Sequence, residues 1–222
     1  MKIANHPKII AYFGGTFDPI HYGHLHPVTA LADEIWLTRI TLMPNNAPPY
    51  REQPEASAQQ RKRMVEIAIS IIDKNKLLFT VDDRELYRIT PSYTIDTMEM
   101  IRAEIGDKIP LAFIIGQDSL LTLHSWHRGQ ELLKMCHLLV CARPGYRNKF
   151  DIPEQQAWLE AHRVKNTAAL HSQPYGLIYL AHTPVFTISS TDIRQRRKNG
   201  QPCDDLVPPD VLYFMDAHRL YR

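Results

Sequence analysis

The stretch Tyr12-Phe13-Gly14-Gly15-Thr16-Phe17-Asp18-Pro19-Ile20-His21-Tyr22-Gly23-His24 limits the possible folds more than any other part of the chain. The apolar run Ile9-Ile10-Ala11-Tyr12-Phe13 reads as a buried strand, and residues 25–35 read as a helix. A strand that turns through glycines into a helix start leaves backbone N–H groups open. Two histidines that can carry positive charge stand at that start. Such a place suits a chain of phosphates. Each part also has a plainer reading. A Gly-Gly pair is a common turn, and histidines three apart on a helix can be a structural hydrogen-bonding pair. The spacing is not the four-residue helical zinc pattern and no third ligand stands out, so no metal ligands are expected.

The rest of the chain alternates strands with helices. Strands are read at residues 8–13, 39–43, 77–81, 111–115, 137–141 and 177–180. Helices are read at 24–32, from an N-cap at Ser57 to 71 or 72, from a cap at Ser92 to 105, at 130–135, from Ser189 to a stop at Asn199-Gly200, and at 209–218. Residues 146–175 have weak periodicity apart from a short helix at 154–162, and read as an insertion. Residues 189–222 form a C-terminal helical region. This alternation predicts an α/β fold: a Rossmann-like, doubly wound parallel sheet with helices on both faces, in one domain of 222 residues. In such sheets the ligand lies at the carboxyl ends of the strands. The polar and glycine-rich motifs fall there, at residues 14–24, 45–51, 116–118 and 189–194.

Composition removes several classes. A net charge of +2 with dispersed basic residues gives no face for nucleic acid. No segment is long and apolar enough to span a bilayer, so no membrane partner is expected. Cys136, Cys141 and Cys203 form no CxxC and no disulfide framework, which reads as idle thiols in a reducing cytoplasm. No nucleophile triad stands out. Ser189-Ser190-Thr191, before Asp192-Ile193-Arg194, is a second helix start whose hydroxyls and N–H groups can hold another phosphate; it reads equally as an ordinary N-cap.

Taken together, Gly14–His24 and Ile188-Ser189-Ser190-Thr191-Asp192-Ile193-Arg194 resemble the nucleotidyltransferase superfamily with its HxGH and SSTxxR signatures. Three further stretches are similar to the bacterial nicotinate-nucleotide adenylyltransferases: Pro44-Asn45-Asn46-Ala47-Pro48-Pro49-Tyr50-Arg51, Pro91-Ser92-Tyr93-Thr94, and Ile114-Ile115-Gly116-Gln117-Asp118-Ser119-Leu120 with Trp126. The resemblance covers essentially the whole chain. It implies transfer of AMP from ATP to nicotinate mononucleotide, giving deamido-NAD and pyrophosphate in NAD biosynthesis.

By the same resemblance, His21, His24 and Arg194 are the catalytic group on the phosphates. Gly14, Gly15, Thr16, Phe17, Gly116, Ile188, Ser189, Ser190 and Thr191 surround ATP. Asn45, Arg51, Tyr93, Thr94, Asp118 and Trp126 surround the mononucleotide. The Tyr93 and Thr94 amides would meet the nicotinate carboxylate, and Trp126 would stack on the pyridine ring. Mg²⁺ is expected on the ATP phosphates, with few or no protein ligands. Tyr50 stands where the family often has histidine. The expected partners are the two nucleotides, with the chain a monomer or small homo-oligomer. The chemistry needs no general base, because a phosphate monoester with a second pKa near ~6 is already mostly ionised at neutral pH.

Other readings stay open at this level. The acceptor could be nicotinamide mononucleotide or phosphopantetheine. The chain could be a catalytically silent nucleotide-binding module. An RNA-binding synthetase-like fragment shares a related signature, but the chain lacks a basic face.

Overall fold

The computed structural model describes residues 8–46, 53–72, 78–88, 91–146 and 149–222. Of the expected features, Tyr50, Arg51 and Leu77 lie outside these residues. Strand β1 (Ile10–Gly15) leads to helix α1 (Tyr22–Ile35), and β2 (Arg39–Pro44) to α2 (Ala58–Ile71). Then come β3 (Leu78–Val81), α3 (Thr94–Ile105), β4 (Leu111–Gly116) and the short α4 (Gln117–Thr122). After β5 (His137–Cys141) follow α5 (Pro153–His162), β6 (Arg163–Val164), α6 (Ala168–Ser172) and β7 (Ile178–Leu180). Helices α7 (Ser190–Lys198) and α8 (Pro209–Ala217) close the chain.

Local chemistry sets the boundaries. Helix α2 begins with a reciprocal capping box: Ser57 Oγ accepts from the Gln60 amide, and Gln60 Oε1 accepts from the Ser57 amide. Helix α1 ends where Trp36 takes a left-handed conformation (φ 57°) and its N–H bonds the Ala32 carbonyl. Gly106, at φ 78°, ends α3. The expected Ser92 cap does not form. Tyr93 is the N-cap without a side-chain bond, and Ser92 Oγ instead accepts from Arg88. Residues 129–134 are a 3₁₀ segment rather than an α-helix.

The strands form one sheet in the order β3-β2-β1-β4-β5-β7-β6, every neighbouring pair parallel. Buried on both faces, the central strands are almost wholly apolar, as β4 and β5 show. One face is packed by Leu25, Val28 and Leu31 of α1, Met64 and Ala68 of α2, and Val211 and Met215 of α8. The other is packed by Ile95, Met98 and Ile101 of α3 with Leu132 and Leu133. Each of the larger of these side chains (Val, Leu, Ile, Met) stabilises the fold by about 1.5–3 kcal/mol.

Segment 146–175 does more than the expected insertion. It carries α5, the edge strand β6 and α6, whose buried His171 donates from Nε2 to the Ile35 carbonyl 2.9 Å away, 136 positions back in the chain. The sheet therefore has seven strands rather than six. The order reverses between β1 and β4, and at that crevice the helices of the two faces diverge.

Candidate active site

Gly14 and Gly15 end β1, and the room left by their missing side chains is already taken. A Cβ on Gly14 would lie 2.8 Å from the Phe113 ring, and one on Gly15 would lie 2.8 Å from the Phe17 ring. The glycines thus let aromatic rings pack beneath the loop. Phe17, 2% exposed, stands edge-on to the His24 ring at 5.2 Å. It supports the histidine from the core side.

His21 is the N-cap of α1 and His24 sits one turn in. Their rings stack, with centroids 3.7 Å apart and planes 24° apart. Gly23 permits this, since a Cβ there would press on the Ile188 carbonyl and the His21 ring. The sequence suggests cationic imidazoles; the structure makes them neutral. Burial, with a smaller contribution from Arg143, pulls His21 down to about 3. Burial, then His21, then Arg143 hold His24 well below its ordinary value. A proton on either ring would be poorly solvated and next to like charge. Nδ1 of both rings is buried without a hydrogen-bond partner among the described residues, which is costly unless a ligand supplies one.

These histidines open into a cavity of about 310 Å³ with Asp118, Arg143, Ile188, Ser189 and Ser190. Tyr146 and Phe186 stand at the same cavity. Sequence reasoning passed over Arg143. It follows β5 at the carboxyl end of the sheet, its amide bonds Gln117 Oε1, and its Nε lies 3.6 Å from Asp118 Oδ1. Gly116 makes room for that pair, because a Cβ there would collide with the Asp118 carboxylate and lie 2.9 Å from Arg143 Nε. Asp118, expected at the mononucleotide by resemblance, lines the histidine cavity.

The second helix start is built as much from caps as from open groups. Ser189 Oγ accepts from the Asp192 amide at 3.1 Å, and Ser190 Oγ donates to the Pro19 carbonyl at 2.9 Å. Arg194 donates to the Asp18 carbonyl at 2.8 Å and lies 3.4 Å from Glu55, with Thr191 Oγ1 3.5 Å from its Nη2. Thr191 and Arg194 are not among the residues lining the histidine cavity. Arg194 and Ser190 fasten α7 to the loop after β1, Arg194 across 176 positions of sequence.

A second cavity of about 460 Å³ is lined by Asn45, Asn46, Ser92, Tyr93, Thr94, Thr122, Ser125, Trp126 and His127. It gathers Asn45, Tyr93, Thr94 and Trp126 as expected. The N-terminus of α3 opens into it, so the first-turn N–H groups and the positive end of the helix dipole face the cavity. His127, read from sequence as an unremarkable histidine, packs at a tilt against Tyr93, with ring centroids 4.3 Å and planes 31° apart. Asn46 is tied by its side chain to the Arg88 carbonyl. No spacing signal marks His127 or Arg143. Arg143 follows β5 and His127 follows the turn at residues 123–125, and only the tertiary fold brings each to its cavity.

Among the described residues no group of three histidine, cysteine or acidic side chains could hold a metal ion by itself. All three cysteines are buried and free, and burial pushes Cys136 and Cys141 up to about 12, which removes them as nucleophiles. No helix is long and apolar enough to cross a membrane among the described residues.

Comparison with known proteins agrees with this geometry. The cytidylyltransferase-like family model matches residues 12–196. A protein of Pectobacterium atrosepticum described as a probable nicotinate-nucleotide adenylyltransferase is 62% identical over 97% of this chain and 100% of its own length. One of Yersinia pestis with the same description is 57% identical over the whole chain and 99% of its own. The solved structure of the Plasmodium falciparum nicotinic acid mononucleotide adenylyltransferase complexed with NaAD shares the fold, with a TM-score of 0.69 at 20% identity over 96% of this chain and 97% of that one. The chain belongs to the cytidylyltransferase-like nucleotidyltransferases and, within them, to the nicotinate-nucleotide adenylyltransferase family.

Proposed function

We infer that this chain transfers AMP from ATP to nicotinate mononucleotide, giving deamido-NAD and pyrophosphate in NAD biosynthesis. The observation that carries this reading is the division of the crevice into two cavities. One holds a stacked, neutral histidine pair beside Arg143; the other sits on a helix N-terminus flanked by Trp126. The first suits a triphosphate and the second a flat ring bearing a carboxylate.

In this reading ATP lies over the His21–His24 pair, with Arg143 and the start of α7 on its phosphates. An arriving triphosphate brings opposite charge to buried imidazoles and raises their pKa toward neutrality. The histidine N–H groups and Arg143 then stabilise the charge that builds on the departing pyrophosphate. The acceptor phosphate attacks the α-phosphorus in line, with no covalent intermediate and no general base, since it is already ionised. Arg194 acts on the same phosphates in the resemblance. In this structure it is held by Asp18 and Glu55, so its part requires that it exchange those partners.

Asp118 is the one carboxylate lining the histidine cavity. That donor set fits a magnesium ion carried mainly by the phosphates, which when bound offsets the charge of the triphosphate. On the acceptor side, the Tyr93 and Thr94 amides meet the nicotinate carboxylate, Trp126 stacks on the ring, and Asn45 holds the wall beside it.

The deciding experiment is pyrophosphate release from ATP and Mg²⁺ with either nicotinate or nicotinamide mononucleotide. The carboxylate should be favoured at least tenfold in kcat/KM, the scale of one charge-assisted hydrogen bond. Equal or faster turnover of the amide would overturn the acceptor assignment, and silence with both would leave a nucleotide-binding module.

A further inference from the structure

Arg61 is a buried arginine that lines neither of the two cavities. It sits on α2 and is 2% exposed, one of the largest fully buried side chains. It has no carboxylate within ion-pair distance among the described residues. Its Nη1 donates to the Thr16 carbonyl at 2.6 Å and to the Asn45 carbonyl at 2.9 Å. Its Nε has no hydrogen-bond partner among the described residues. A buried guanidinium so placed is costly to desolvate, and it is kept only by the carbonyls it serves, which an apolar side chain would leave without this donor. Packing alone therefore gives no reason for an arginine here.

The two carbonyls suggest one. Thr16 belongs to the loop after β1 that leads to the histidines, and Asn45 follows β2 and lines the acceptor cavity. The same two residues meet a second time, Thr16 Oγ1 to Asn45 Oδ1 at 3.1 Å, and the Asn45 amide bonds the Gly15 carbonyl at 2.9 Å. Arg61 thus bridges the wall that carries the phosphates to the wall that carries the acceptor, from beneath, without touching either cavity.

We propose that Arg61 is a positioning residue that sets the separation of the phosphate loop and the acceptor loop, and so aligns the acceptor phosphate with the ATP α-phosphorus. The proposal rests on the adenylyl-transfer reading above. Reaction rate depends steeply on such alignment, whereas binding of each nucleotide to its own wall does not.

The test is steady-state kinetics of the wild-type chain, R61M and R61K, with the folded fraction of each fixed by circular dichroism and thermal unfolding. R61M should lose about tenfold or more in kcat per folded molecule, with KM for ATP and for the mononucleotide each within about threefold of wild type. R61K, which keeps a cation able to donate to both carbonyls, should recover most of that kcat. Should R61M not fold, R61Q, whose amide can serve one carbonyl, is measured in its place with the same expectation. Unchanged kcat per folded molecule in R61M or R61Q overturns the proposal. So does a loss seen equally in KM for both substrates, or a loss in R61K as deep as in R61M. An inactive wild-type chain would instead overturn the adenylyl-transfer reading, so the two failures are distinct.

Discussion

Among single residues, Arg143 and the two histidines line one cavity and carry different charge there. Because burial leaves His21 and His24 neutral, Arg143 is the one cationic side chain lining that cavity in the described structure. Arg143→Ala should therefore lower kcat/KM for ATP by roughly tenfold to a hundredfold, the scale of one charge-assisted contact to a phosphate. It should also move the His21 titration upward from about 3, since Arg143 is one of the two causes holding it there. Both are measurable on one protein, by steady-state kinetics and by NMR titration of the imidazole. A His21 midpoint that stays put would mean burial alone accounts for it. The candidate roles of His21, His24, Ser189 and Ser190 were legible because their spacing puts them on helix starts. Arg143 was not, because an arginine before Pro-Gly reads as a solvated turn until the strand before it is placed beside β4.

At the level of elements, the amino end of α3 should select the acceptor, and this can be tested without removing a side chain contact. Thr94 is the first residue of the helix, a position where proline is well tolerated. Tyr93 before it is extended (φ −100°, ψ 137°), the conformation a following proline demands. Thr94→Pro should thus keep α3 but delete one amide donor. KM for nicotinate mononucleotide should rise about tenfold or more, with KM for ATP little changed, while Thr94→Ala should behave close to wild type. A KM unaffected by the proline would remove this amide from acceptor binding. Element boundaries show where pattern reading stops. The Ser57 cap was visible because Gln60 completes a capping box in sequence. The Ser92 cap failed because its hydroxyl is drawn to Arg88, a partner supplied by the tertiary fold. Strand β6 is two residues long, too short for any periodicity to show.

For the molecule as a whole, buried neutral histidines tie stability to pH. His137 is fully buried, with its ring bonded to the Gln173 carbonyl and the Leu177 amide, and burial lowers it to about 4; His21 lies at about 3. In the unfolded chain both would take up a proton near pH ~6.5. Below that pH the unfolded state binds more protons, so stability is full above it. It is lost as pH falls through the window down to about 4 for His137 and about 3 for His21. Each should contribute a slope of up to about 1.4 kcal/mol per pH unit within its window. Urea midpoints measured at pH 7.5, 6 and 5 should fall accordingly. A flat profile would mean the rings titrate normally in the folded protein. Closure of the molecule rests on Asp18, which accepts from the Glu55 and Ala56 amides and from the Tyr221 hydroxyl at 2.6 Å, joining the first loop to the last residues.

By itself the sequence determined the alternation of strand and helix, the parallel sheet that follows from it, and the pairing of two helix starts at its carboxyl edge. Those properties are local: turn chemistry, caps and apolar runs act over a few residues, and family signatures keep the same spacing. The charge state of the histidines, the place of Asp118 and Arg143 in the histidine cavity, of His127 in the second cavity, and of Arg61 beneath the two loops were decided only by tertiary structure. Each depends on burial or on approach across many positions, as with Arg61, 45 positions from Thr16. A side chain's solvation and neighbours are set by packing, and no spacing rule in a linear chain encodes them.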